Sequence, residues 1–106
     1  MFDALEKSLE VMDLIANVEA KVRAKRKSLA DQMGRAAESI GLNISEGRER
    51  AGLDRADHYR KAAGSAGELT MAMRIAVNRR YITQADFDHV EAVLDRVRAI
   101  LWRLTH

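Results

Sequence analysis

The residues able to do chemistry in this chain are few, and their spacing decides between them. His58, His89 and His106 raise the question of a metal centre. A helical bundle can hold a di-metal site when its helices carry Glu-x-x-His facing inward. The nearest approaches here are Asp54 with His58 and Asp86 with His89. Neither histidine falls on the apolar seam of its segment, so both read as solvated faces, and His106 is terminal and expected to fray. Ser39, Ser45 and Ser65 have no histidine at helical spacing, which leaves a serine nucleophile without a base. Asp86 with Asp88, and Glu46 with Glu49, read as helix-end and surface charges rather than as a general acid and base. The glycines fit neither a phosphate loop nor a dinucleotide fingerprint. Cysteine is absent, which removes disulfides, thiol catalysis and zinc fingers. The sequence predicts no enzyme, no cofactor and no metal site.

Charge is more informative. Residues 1–20 are net −4, whereas residues 21–35 are net +5 through Lys21, Arg23, Lys25, Arg26, Lys27 and Arg35 against Asp31. If alternate loops share one end of the molecule, Lys21, Arg23, Lys25, Arg26 and Lys27 meet Arg74, Arg79 and Arg80 there. Such a pole is the footprint of a phosphate-binding surface, and RNA or DNA is the partner it fits. Basic side chains near helix C-termini also complement the helix dipole and keep a protein dissolved, so charge alone leaves both readings open.

The elements that must position these residues follow from caps and periodicity. A capping residue followed three positions later by an acid recurs as Asp3 with Glu6, Ser28 with Asp31, Asp54 with Asp57 and Thr83 with Asp86. Ile82 and Phe87 stand where a hydrophobic staple would place them around the fourth site. Apolar residues recur at three and four in each segment: Leu5, Leu9, Met12, Ile15 or Ala16, and Val22; then Leu29, Met33, Ala36, Ile40 and Ile44. Tyr59, Ala62, Ala66, Leu69, Met73 and Ala76 follow, and finally Phe87, Val90, Leu94, Val97, Leu101 and Leu104. With no proline in 106 residues, the sequence predicts an all-α, up-down-up-down four-helix bundle in one domain. The helices are expected at 3–25, 28–47, 54–79 and 83–105. No apolar run is long enough to span a membrane, and the expected address is the cytoplasm.

Three further features concern packing and partners. Gly64 and Gly67 sit mid-helix, where glycine costs about 1 kcal/mol, and are expected to serve close packing within the bundle or against another subunit. Ser39, Asn43 and Glu46 share one stripe beside the apolar seam, where their side chains can bond backbone near Gly47, a structural role. Trp102 falls at an outward position. Arg98 one turn earlier could cover its ring, or it could stack on a base, but a subunit interface ranks first because tryptophan is enriched at such anchors.

The segment from Leu29 to Ile40, reading Leu-Ala-Asp-Gln-Met-Gly-Arg-Ala-Ala-Glu-Ser-Ile, followed by Asn43-Ile44-Ser45-Glu46-Gly47, resembles the signature of the bacterial 23S rRNA-intervening-sequence proteins. Leu9-Glu10-Val11, Gly64-Ser65-Ala66-Gly67-Glu68-Leu69 and Tyr81-Ile82-Thr83 resemble the same family, although Met12 replaces a usual aromatic and Gly41 a common proline. The family is similar to the accessory protein of diversity-generating retroelements. The resemblance implies a homo-oligomer, expected as a pentamer, with RNA or DNA as ligand. The alternative it implies is a scaffold that docks a reverse transcriptase or another protein without touching nucleic acid.

Overall fold

The computed structural model describes residues 3–106, the side chain of Asp3 excepted, so the expected first cap lies outside the described residues. Four helices are connected by short loops: α1 (Asp3–Arg23), α2 (Lys27–Arg48), α3 (Gly52–Asn78) and α4 (Gln84–Thr105). α1 packs on α2 and α4, and α3 packs on the same two, giving a square antiparallel bundle 42 × 22 × 20 Å. No strand occurs among the described residues.

The cap expectations fare unequally. At α4 the Thr83 hydroxyl accepts from the Asp86 N–H at 3.1 Å and the Asp86 carboxylate accepts from the Thr83 N–H at 3.1 Å, a complete capping box. Ile82 behind it is buried and Phe87 packs partly against the core. α2 and α3 instead start at N-caps Arg26 and Ala51, and neither cap side chain makes the bond. α2 begins one residue before Ser28 and α3 two residues before Asp54, so both expected caps lie inside their helices. The acids of these two sites are in ion pairs: Lys27 and Arg23 hold Asp31, Arg50 holds Asp54, and Lys61 holds Asp57.

The seams of α2 and α3 are buried as expected. α1 is rotated from the predicted face: Ala4, Ser8, Val11, Ile15, Val18 and Val22 point inward, while Leu9 is 52% exposed. Small residues meet where α1 crosses α2, Gly41 facing the buried Ser8, whose Oγ lies 3.5 Å from where a Cβ on Gly41 would stand. The larger Leu5, Leu9 and Met12 are displaced to the outer edge of that contact. The α4 seam stops at Leu101, and Leu104 is exposed.

The end of α2 depends on Gly47. A Cβ there would stand 2.5 Å from Tyr59 Cε1, so only glycine lets the buried Tyr59 ring lie against the helix. Arg55 closes the same end by donating to the Gly47 and Arg48 carbonyls at 3.0 and 3.2 Å, supplying cations where helix carbonyls lack partners. Gly64 and Gly67 contradict the expectation of packing within the bundle: a Cβ on either would meet nothing within 4 Å.

Candidate nucleic-acid interface

The α1–α2 and α3–α4 loops lie at the same end of the antiparallel bundle, which gathers the predicted cations there. They differ in freedom. Lys21 is paired with Asp86 at 3.0 Å, Arg23 with Asp31 at 2.8 Å and Glu19 at 3.0 Å, and Lys27 with Asp31 at 2.9 Å. Lys27 and then Arg23 pull the Asp31 carboxyl down to about 2, and Asp31 and Glu19 raise the Arg23 guanidinium in turn. Asp86 is also held below its ordinary value, first by the Thr83 backbone N–H and then by Lys21. Lys21 ties α1 to α4 and Arg23 ties α1 to α2, while Lys27 pairs within α2.

Lys25, Arg26, Arg74, Arg79 and Arg80 make no ion pair among the described residues. Arg26 and Arg79 line one groove of about 240 Å³ between α2 and α3, together with Ser28, Leu29, Gln32, Ile75 and Tyr81. Arg74 lines a different groove of about 360 Å³ between α3 and α4, with Val77, Asn78, Gln84 and Phe87. The end of α3 thus divides the pole into two clefts.

Arg80 sits at the crest with φ +64°. The Arg80 N–H reaches the Val77 carbonyl at 2.9 Å and the Tyr81 N–H reaches Ala76 at 2.8 Å, the paired bonds of a Schellman ending. Glycine normally occupies this left-handed position, which costs an L-residue roughly 1–2 kcal/mol. An arginine there aims a cation at solvent at the expense of backbone ease.

The Ser39 stripe forms a link between α2 and α3. Ser39 Oγ and Ser65 Oγ are 2.7 Å apart, Asn43 Nδ2 donates to the Ser39 carbonyl at 3.0 Å, and Asn43 Oδ1 lies 3.1 Å from His58 Nδ1. Helical spacing could not show this because His58 arrives from the neighbouring helix. The polar pair Ser39 and Ser65 at half-buried and buried positions was the available signal. Glu46 departs from expectation: its carboxylate is exposed and accepts from Arg50 at 3.1 Å, away from the stripe's network.

Trp102 is 61% exposed, as placed from the sequence. Its ring stacks on His106 with centroids 4.4 Å apart. Arg98 does not cover it. That guanidinium donates to Thr70 on α3 at 2.9 Å and to Glu91 and Asp95. Burial works against its charge, and Asp95 and Glu91 more than offset this, leaving its pKa raised. A second apolar feature is a groove of about 390 Å³ between α1 and α2, walled by Leu9, Met12 and the 67%-exposed Leu42. Among the described residues there is no group of three or more potential metal-binding side chains, and no helix is long and apolar enough to cross a membrane.

A family model described as 23S rRNA-intervening sequence protein matches residues 2–103. The chain belongs to that family. Among solved structures, it is similar to a protein of unknown function from the S23 ribosomal protein family of Bacteroides thetaiotaomicron, with a TM-score of 0.87 at 22% identity. The match covers 96% of this chain and 97% of the other, so the four-helix architecture is shared from end to end. No curated protein matches the chain. In this member of the 23S rRNA-intervening sequence family, the segment from Ser39 to Gly47 is the face of α2 that seats α3, through the serine–asparagine link and the Tyr59 ring.

Proposed function

We propose that this protein is a non-enzymatic cytoplasmic bundle that self-associates and binds RNA or DNA through the pole at the α1–α2 and α3–α4 loops. The observation that carries the reading is the convergence of Arg26 and Arg79 on one groove with no acidic partner for either among the described residues. Lys25 and Arg80 extend that unpaired charge, and neutralising phosphates would release their counterions. Lys21, Arg23 and Lys27 belong to the scaffold beneath, and Arg74 to the flank.

Self-association is supported by the exposed Trp102 and by the Leu9–Met12–Leu42 groove, apolar surfaces of the kind that mark interfaces. A cyclic assembly, a pentamer by resemblance, presents every pole on the same side, so several weak sites act on one polyanion. The same groove supports the scaffold reading, in which it docks a reverse transcriptase or another protein. Sedimentation separates the two: Trp102→Ala and Leu42→Arg shift an assembly towards smaller species, whereas a wild-type monomer at high concentration leaves the groove to a different protein.

The binding test compares two variants of equal charge change. Arg26→Gln with Arg79→Gln removes the pole's groove cations, while Arg96→Gln with Arg103→Gln removes two cations of α4 that make no ion pair among the described residues. Loss of RNA and DNA binding in the first alone supports the pole. Equal loss in both reduces the effect to net charge.

A further inference from the structure

Resting on the nucleic-acid reading, we infer that the groove between α2 and α3 is a slot for one unstacked base, so that the pole takes single-stranded nucleic acid in preference to duplex. The groove is more than an anion site. It is lined by Arg26 and Arg79, but also by the apolar Leu29 and Ile75 and by Tyr81, which is part-buried against the core. Ile75 is 42% exposed on α3, with no covering element among the described residues. A free phosphate would use the two guanidinium groups and leave this apolar lining wet.

A duplex has the same defect as a ligand, because its bases are stacked inside and only phosphates reach the rim. A splayed nucleotide uses every part. Its phosphate meets Arg26 and Arg79, its base covers Leu29 and Ile75 and stacks against Tyr81, and the Gln32 amide offers a donor and an acceptor to the base edge. Backbone cations with an aromatic platform are the combination that binds single strands with little sequence preference. The Schellman ending holds this arrangement in place, because the Ala76–Tyr81 hydrogen bond fixes the residue that follows Arg79 and Arg80.

The test is fluorescence anisotropy with labelled RNA and DNA single strands of about 12 nucleotides and with duplexes of equal length. A strand carrying 5-iodouracil is photocrosslinked to the wild-type protein in parallel. The slot predicts tighter binding of strands than duplexes, crosslinking at Tyr81, and a Tyr81→Leu variant weakened roughly five- to hundredfold for strands but unchanged for duplexes. Preference for RNA over DNA would support the slot and add a 2′-hydroxyl contact to it. Equal wild-type affinity for strand and duplex, or crosslinks confined to other surfaces, overturns the slot while leaving the phosphate reading intact. Absence of all binding at low salt overturns both. Should Tyr81→Leu fail to fold, the wild-type strand preference and crosslink site decide alone.

Discussion

The Tyr59 ring occupies the space that a side chain on Gly47 would need, with Cε1 2.5 Å and Cδ1 2.7 Å from the position of a Cβ. Tyr59 is 3% exposed and cannot swing into solvent without opening the contact between α2 and α3. Gly47→Ala is therefore expected to destabilise the fold by about 1–3 kcal/mol, as overpacking does, despite alanine's better helix propensity. Urea unfolding of the variant checks it. An increase in stability would show that the ring is not fixed by this contact.

The polar link on the same face makes a contrasting pair of predictions. Asn43→Ala strips a partner from Ser39 and from His58 in a half-buried setting, and should cost about 1–3 kcal/mol. Glu46→Ala removes an exposed ion pair with Arg50 and should change stability by less than about 1 kcal/mol. Thermal melts of the two variants side by side test the ranking, and equal losses would contradict it.

The left-handed residue at the end of α3 gives a prediction of opposite sign. Arg80→Gly relieves the φ +64° conformation and is expected to raise stability by up to about 1 kcal/mol, while weakening nucleic-acid binding. Calorimetry and a binding titration on the same preparation read both effects. A variant that loses stability and keeps full affinity would remove the argument for a functional arginine there.

Acid titration addresses the ion pairs beneath the pole. Asp31 is lowered from 3.8 to about 2 by Lys27 and Arg23, so its favourable contribution is complete above the unfolded value and is lost as pH falls from about 4 through 2. Asp86, also lowered, acts in the same direction. Wild-type melting temperature should fall more steeply between pH 5 and 2 than that of Asp31→Asn, and the difference should shrink in high salt. Parallel curves at low salt would show that the pairs contribute nothing to folding.

Period and loop spacing made the four helices legible in the sequence, because the apolar stripes of α2 and α3 are continuous and admit one inward face. α1 misled because size does not decide burial where helices approach closely: Ser8 and Ala4 go inside and Leu9 stays out. Capping patterns misled at α2 and α3, which begin one and two residues ahead of Ser28 and Asp54 and enclose them. At the pole, the cations could be gathered by topology, but their division into paired scaffold and unpaired rim could not, since Lys21 meets Asp86 across 65 positions of sequence. The Asn43–His58 contact was hidden for the same reason.

Arg26, Arg79 and Arg80, which make no ion pair among the described residues, are the cations proposed to meet phosphate. The slope of log affinity against log salt concentration should be measured for RNA binding by the wild type and by a variant with Arg26, Arg79 and Arg80 changed to glutamine. Each lost phosphate contact lowers the slope by roughly 0.7 on a single strand, so the variant should bind more weakly and with a slope shallower by roughly 2. Identical slopes and affinities for the two proteins would contradict the pole as a phosphate-binding surface.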